Sequence, residues 1–165
     1  MYPDRRSVIP YGRQWVDQSD IDKVIDVLRS DYLTQGPVVP RFERQVADKV
    51  TVKHAVATNS ATSALHVACL ALGIGKGDVV WTVPNTFVSS ANCALYCGAR
   101  IDFVDIDRDS GNISISELKK KLAKEKSTGN LPKLLVSVHF AGQPTNQEEI
   151  WALGQDYGFN ILEDA

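Results

Sequence analysis

From residue 54 to residue 165, short apolar runs rich in β-branched residues alternate with segments whose apolar positions repeat at helical spacing. No other feature constrains the fold as much. A series of this kind packs as a mostly parallel sheet with right-handed crossovers and helices on both faces. The series opens with HAVATNSATSALHVACLALG, residues 54–73. Its first part reads as a strand over 54–60 that runs into a polar knot, Thr58-Asn59-Ser60-Ala61-Thr62. Its second part puts Ala64, Leu65, Ala68, Cys69 and Leu72 on one helix face, and Gly73 ends it. The start of that helix offers free N–H groups and partial positive charge, which suits an anion such as a phosphate. A plain Ser/Thr helix cap is the competing reading. Neither GxGxxG nor GxxxxGKS/T is present.

Ahead of this series, residues 1–18 read as an extended arm. A first helix is signalled by Ser19 as N-cap with Asp22 three residues on, and by Ile21, Val24, Ile25 and Leu28 on one face. Residues 30–40, SDYLTQGPVVP, read as a loop, and Phe42, Val46 and Val50 as a second helix. Beyond Gly73 the sequence predicts strands over 78–83, 99–106, 133–140 and 159–165, giving five strands with 54–60. Between them lie a helix through Tyr96 closed by Gly98 and a turn over 107–112. A helix follows with a Ser114/Glu117 capping box and Ile115, Leu118 and Leu122 inward, then a loop over 126–132. The last helix has a Thr145/Glu148 capping box, with Ile150, Leu153, Gly154 and Tyr157 on one face and Gly158 as its cap. The lysines at 119–121 read as a solvated outer face.

The chain has 165 residues, 44% hydrophobic and 23% charged, which suits an ordinary soluble globular domain. Eighteen basic against twenty acidic residues leave a net charge of −2, which calls for neither nucleic acid nor a membrane surface. Apolar runs fall far short of the ~20 residues of a membrane span, and the N-terminus has no apolar signal core. Three cysteines, Cys69, Cys93 and Cys97, in no framework spacing imply free thiols and a reducing, cytoplasmic setting. Cys93 and Cys97 lie one helical turn apart, but no further ligand sits at metal spacing, so they read as core residues and no metal site is expected.

In a parallel sheet, ligands collect at the carboxyl ends of the strands. Those ends carry Ser60 to Thr62, Asn85 to Phe87, His139 to Gln143, and Glu163 with Asp164. Phe87 is either a core residue or a plate on which a flat ligand stacks. His139 is either a hydrogen-bonded core histidine or a catalytic group. Asp164, at the end of a buried strand, needs a partner, and a metal or a protonated ring nitrogen would serve.

Phosphate cup, aromatic plate and strand-terminal acid together resemble the fold-type I enzymes of pyridoxal 5′-phosphate. Five motifs in order, SDYLTQGPVVPRFE, TNSATSALHVA, PNTFVSSANCA, VHFAGQP and ILEDA, resemble the DegT/DnrJ/EryC1/StrS nucleotide-sugar aminotransferases. IPYGRQ with LTQGP and NSATSAL most resembles the pseudaminic acid branch, which serves bacterial cell-surface polysaccharides. The resemblance implies amine transfer from glutamate to C4 of UDP-2-acetamido-2,6-dideoxy-β-L-arabino-hex-4-ulose, with pyridoxal 5′-phosphate as cofactor and a homodimer as the working form. Position by position, it implies that Ala61 and Thr62 hold the cofactor phosphate and that Phe87 stacks on the pyridine ring. It puts Gln143 near the phenolic oxygen and Asp164 against the pyridinium nitrogen. Tyr11, the loop Asp31-Tyr32-Leu33-Thr34, and Ala61 match segments that meet the sugar nucleotide.

The family's Schiff-base lysine lies on a segment after the motif that ends at Ala165, and none of the lysines here follows Asp164. The expectation is therefore an N-terminal fragment without a catalytic residue of its own and inactive alone. Residues 1–53 would form an arm, helices and substrate loop, and residues 54–165 the first five strands of the cofactor-binding large domain. The strand over 54–60 would lie on an edge or stay unpaired, or pair by swapping with another chain. Two alternatives stand beside this reading. One is a keto-sugar dehydratase of the same superfamily, with histidine at the lysine position, and the other is a non-catalytic α/β fragment.

Overall fold

The computed structural model describes residues 12–165, so Tyr11 and most of the expected arm lie outside the described residues. The chain divides into two compact units, one up to Ala57 and one from Thr58.

The first unit holds α1 (Gln18–Leu28) and α2 (Val38–Val50). The cap of α1 is Asp17, not Ser19. The Asp17 carboxylate accepts from the N–H groups of Ser19 and Asp20, while Asp20 reaches back to the N–H of Asp17. A carboxylate is the stronger acceptor at the positive end of a helix, and the Ser19 hydroxyl instead donates to it at 2.7 Å. Helix α2 begins inside the expected loop. Pro40 sits in its first turn, where the missing N–H has no intrahelical partner in any case.

Residues 54–60 form no strand. A strand needs a ladder partner, and the N–H of Ala57 instead donates to Glu43 Oε1 of α2 at 2.9 Å.

The second unit runs α3 (Ala61–Ala71), β1 (Val79–Thr82), α4 (Ser89–Tyr96), β2 (Arg100–Phe103), α5 (Ile115–Thr128), β3 (Leu134–Val138), a short 3-10 turn, α6 (Gln147–Tyr157) and β4 (Asn160–Asp164). Four strands, not five, pair in parallel in the order β2-β1-β3-β4. Side chains alternate across them. Val80, Leu134, Val136 and Leu162 meet Leu65, Cys69, Cys93 and Ala94 of α3 and α4. Val79, Trp81, Leu135 and Ile161 meet Leu118, Leu122, Ile150 and Leu153 of α5 and α6. The sheet is thus covered on both faces. Because β2 and β3 flank β1 on opposite sides, the order reverses at β1/β3, and such a reversal opens a crevice at the carboxyl edge.

Two further boundaries differ from expectation. Helix α5 runs on through Thr128, because the hydroxyls of Ser127 and Thr128 bond to carbonyls one turn back and Gly129 supplies the left-handed stop at φ 73°. Helix α6 is capped by Asn146, which accepts from the N–H of Glu149. Thr145 is buried and its hydroxyl is engaged with Ser137 at 3.1 Å.

Asp78, just before β1, pairs with Lys133 at 2.9 Å, just before β3, and also accepts from the N–H of Gly75. The Lys133 ammonium first, and that N–H second, hold its carboxyl below the ordinary 3.8. A lowered folded value stabilises above the unfolded one and is lost as pH falls through it. Because both side chains are partly exposed, the pair contributes only about 0.5–1 kcal/mol. Urea midpoints measured from about pH 5 down to pH 2 should therefore fall less steeply in Lys133→Met than in the parent chain.

Candidate functional site

The carboxyl ends of β1, β3 and β4 open onto one edge of the sheet. After β1 the chain turns through Pro84 to Val88 into α4, and Phe87 there is 72% exposed. The ring is therefore not packed in the core of this sheet. The turn is pinned by Asn85 Nδ2, which donates to the carbonyl of Gly111 at 3.4 Å. A Cβ at Gly111 would lie 2.8 Å from the Phe140 ring, so only glycine allows this approach.

β4 ends at Asp164. Its side chain has the parity of Leu162, so it faces the α3/α4 side of the sheet. There its Oδ2 accepts from the Ser90 hydroxyl at 2.5 Å. The same hydroxyl lies 2.8 Å from Thr86 Oγ1 and 3.1 Å from the carbonyl of Phe87. The turn that carries Phe87 and the strand that carries Asp164 are thus joined through one buried serine. Among the described residues, Oδ1 of Asp164 takes no hydrogen bond.

After β3, the N–H of His139 donates to the carbonyl of Asp164 at 2.9 Å. The His139 Nε2 atom lies 2.7 Å from Gln147 Nε2 and 3.3 Å from Glu163 Oε2. Its Nε2 atom thus meets side chains of both α6 and β4. The segment then passes through Ala141 at φ 52° and Gly142 at φ 80° to Gln143. Buried Asn112 holds this segment. Its Nδ2 donates to the carbonyls of Gln143 at 2.9 Å and Pro144 at 3.1 Å, and its Oδ1 accepts from the N–H of Phe140 at 2.9 Å.

Ser60 caps α3, accepting from the N–H of Ser63 at 3.2 Å, and Thr58 Oγ1 donates to the carbonyl of Ser60. The N–H groups of Ala61 and Thr62, at the first two helical positions, have no intrahelical partner by geometry. Helix α3 packs against β4, with Leu65 and Leu162 in the same apolar cluster, on the face that carries Asp164. In the first unit, the loop Asp31 to Thr34 leaves Tyr32 and Leu33 exposed and is tied by Ser30 Oγ to the N–H of Tyr32 at 3.3 Å.

Phe87, Gln143, Asp164 and the start of α3 therefore belong to one unit and one sheet edge. Ser90 and Asn112 are the residues that sequence reasoning missed. Ser90 stands three residues after Phe87, one helical turn on, a spacing that could have flagged it. Asn112 sits in a turn with no signal of its own.

A groove of about 510 Å³ lined by Gln147, Glu148, Trp151, Ile161 and Glu163 lies elsewhere, on the α5/α6 face. Cys69 and Cys93 are buried free thiols. The hydrogen bond with Cys93, then burial, pushes the Cys69 thiol well above its ordinary range. Among the described residues no three His, Cys, Asp or Glu side chains form a metal cluster, and no helix is long and apolar enough to cross a membrane.

The donor set has the chemistry of a flat, anionic, basic-nitrogen ligand: amide N–H groups, an exposed ring, and a carboxylate with one oxygen satisfied and the other open. The chain belongs to the DegT/DnrJ/EryC1/StrS aminotransferase family, whose model matches residues 14–165. It is 41% identical over 158 residues to the UDP-4-amino-4,6-dideoxy-N-acetyl-β-L-altrosamine transaminase of Campylobacter jejuni, covering 96% of this chain and 41% of that protein. It is 39% identical over its whole length to the spore coat polysaccharide biosynthesis protein SpsC of Bacillus subtilis, covering 41% of it. Among solved structures, the Helicobacter pylori aminotransferase PseC of pseudaminic acid biosynthesis superposes with a TM-score of 0.85 at 32% identity, covering 94% of this chain and 41% of that one. The chain spans about two-fifths of the length of the relatives it matches.

Proposed function

We propose that these residues form part of a pyridoxal 5′-phosphate-dependent aminotransferase acting on a UDP-linked 4-keto-6-deoxy sugar, with glutamate as amine donor, in pseudaminic acid biosynthesis. Residues 54–165 contribute to the cofactor-binding large domain, and residues 1–53 supply the arm, helices and substrate loop. The observation that carries the reading is Asp164, anchored on one oxygen by Ser90 and open on the other, on the α3/α4 face beside exposed Phe87.

In this reading the N–H groups of Ala61 and Thr62 and the Thr62 hydroxyl hold the phosphate, Phe87 stacks on the ring, and Gln143 faces the phenolic oxygen. Asp164 holds the proton on the ring nitrogen, because a carboxylate beside a cationic nitrogen favours the charged form. The protonated ring supplies an electron sink when bound. Tyr11 and Asp31 to Thr34, together with Ala61, meet the sugar nucleotide. The working form is a homodimer. The lysine that joins the cofactor covalently in the family follows the motif ending at Ala165, so these 165 residues hold the cofactor without turning over substrate.

The test is thermal unfolding of the 165-residue chain with and without pyridoxal 5′-phosphate, alongside an assay for amino-sugar formation from UDP-keto sugar and glutamate. A ligand at a hundred times its Kd should raise the apparent stability by about 2.7 kcal/mol, with no amino sugar formed. An unmoved midpoint at millimolar cofactor, or turnover by this chain, would sink the reading.

A further inference from the structure

Ser90 is wholly buried and has one hydroxyl proton but three neighbours able to accept it: Asp164 Oδ2 at 2.5 Å, Thr86 Oγ1 at 2.8 Å and the carbonyl of Phe87 at 3.1 Å. The proton goes to the carboxylate, because the bond is shorter and its acceptor carries the charge. Thr86 is then the donor of the pair it makes with Ser90. The result is a directed relay from Thr86 through Ser90 to Asp164. It starts on the turn that carries Phe87 and ends on the last residue of β4. Cys93 Sγ donates to the carbonyl of Ser90 at 3.3 Å, so the serine backbone is itself held from one turn further along α4.

We propose that Ser90 is the positioning residue for Asp164: its hydroxyl occupies Oδ2, fixes the carboxylate plane and leaves Oδ1 as the single oxygen that meets a protonated ring nitrogen. This rests on the cofactor reading given above. The relay also ties the ring's two protein partners together, since the segment that sets the height of Phe87 is the one that orders Ser90. A carboxylate with one oxygen already satisfied remains anionic beside a cation, and the shared proton stays on the ring. Without the hydroxyl, the carboxylate turns freely and no oxygen is held toward the ring nitrogen.

The test uses pyridoxamine 5′-phosphate labelled with ¹⁵N in the ring, added to the 165-residue chain and to its S90A, S90T and T86V variants. Affinity is read by calorimetry and ring protonation by the ¹⁵N shift across a pH series. The parent and S90T should keep the ring protonated to higher pH than the free cofactor. In S90A, binding should weaken roughly ten- to a hundredfold and the ring should deprotonate at lower pH, with T86V changed less but in the same direction. A folded S90A chain with the parent's affinity and ring shift would overturn the proposal.

A second readout needs no cofactor. The Ser90 hydroxyl proton should appear as a slowly exchanging downfield resonance, absent in S90A and moved upfield in D164N. A resonance unmoved by D164N overturns the relay. A parent chain that shows the resonance but takes up no probe overturns the cofactor reading instead.

Discussion

Asp164→Asn is expected to weaken pyridoxal 5′-phosphate binding about a hundredfold, while Glu163→Gln, one residue away, leaves it within about twofold. The contrast follows from strand parity. Asp164 points to the α3/α4 side with Leu162, where Ser90 meets it, and Glu163 lies 3.3 Å from His139 with 53% of its side chain exposed. Asparagine keeps the shape and an oxygen that can still accept from Ser90, so the β4 end should hold its place. It removes only the charge, which in the proposed site keeps a ring nitrogen protonated, and it aims an amide or a neutral oxygen where a cation should sit. Calorimetric titration of both variants measures this directly. Equal losses in the two would mean that the strand end is merely disturbed, and undiminished binding to D164N would remove Asp164 from the site.

The alternation of apolar runs and helical spacing was enough to place the parallel sheet and its carboxyl edge. The residues with chemistry to offer, Asp164, Phe87 and the Ser60-capped start of α3, stood at the ends of elements marked by local signals. What failed to show was whatever depends on a partner distant in sequence. Residues 54–60 stay unpaired, one of the outcomes expected of them, but they are not in strand conformation, and Glu43 takes the Ala57 N–H. The true caps, Asp17 and Asn146, were each missed by one or two residues, since several adjacent polar side chains can cap and only the backbone conformation chooses among them. Ser90 carries only its one-turn spacing from Phe87 as a local mark, and its bond to a residue 74 positions on leaves none.

Sheet order explains why these residues converge. With β1 central and the order reversing at β1/β3, the chain leaves β1 toward α4 on one face and leaves β3 toward α6 on the other. The Pro84–Phe87 turn and the His139–Gln143 segment therefore part at the crevice. Asn85 bonds to Gly111 on one side of it, and Asn112 bonds to Gln143 on the other. The single turn over 107–112 thus braces both walls. Asp107 helps fix that turn, its carboxyl held below the ordinary carboxylate value by the N–H and the hydroxyl of Ser110.

The strongest stability effect near the site should come from that brace. Asn112 is 4% exposed and its amide makes three hydrogen bonds to the segment after β3. Asn112→Ala leaves two carbonyls and one N–H without their partner, at about 1–3 kcal/mol for each group that stays dry. Gln143 and Pro144 are exposed, so water can reach their carbonyls, and the total should come to about 2–3 kcal/mol rather than the full sum. The segment also carries Ala141 at φ 52°, a left-handed conformation that a non-glycine residue keeps only when its surroundings impose it. Releasing the brace should let Ala141 relax and carry Gln143 away from the crevice. Urea unfolding gives the stability loss, and hydrogen exchange at the Phe140 amide gives the local one. Asn112→Asp separates the two sides of the brace. It keeps an oxygen for the Phe140 N–H, so that amide stays protected, yet it faces a carboxylate toward the carbonyls of Gln143 and Pro144 and should destabilise at least as much as alanine. A loss below about 1 kcal/mol in Asn112→Ala, with Phe140 protected as before, would mean that the turn bonds from Gly142 to His139 and from Gln143 to Phe140 hold the segment unaided.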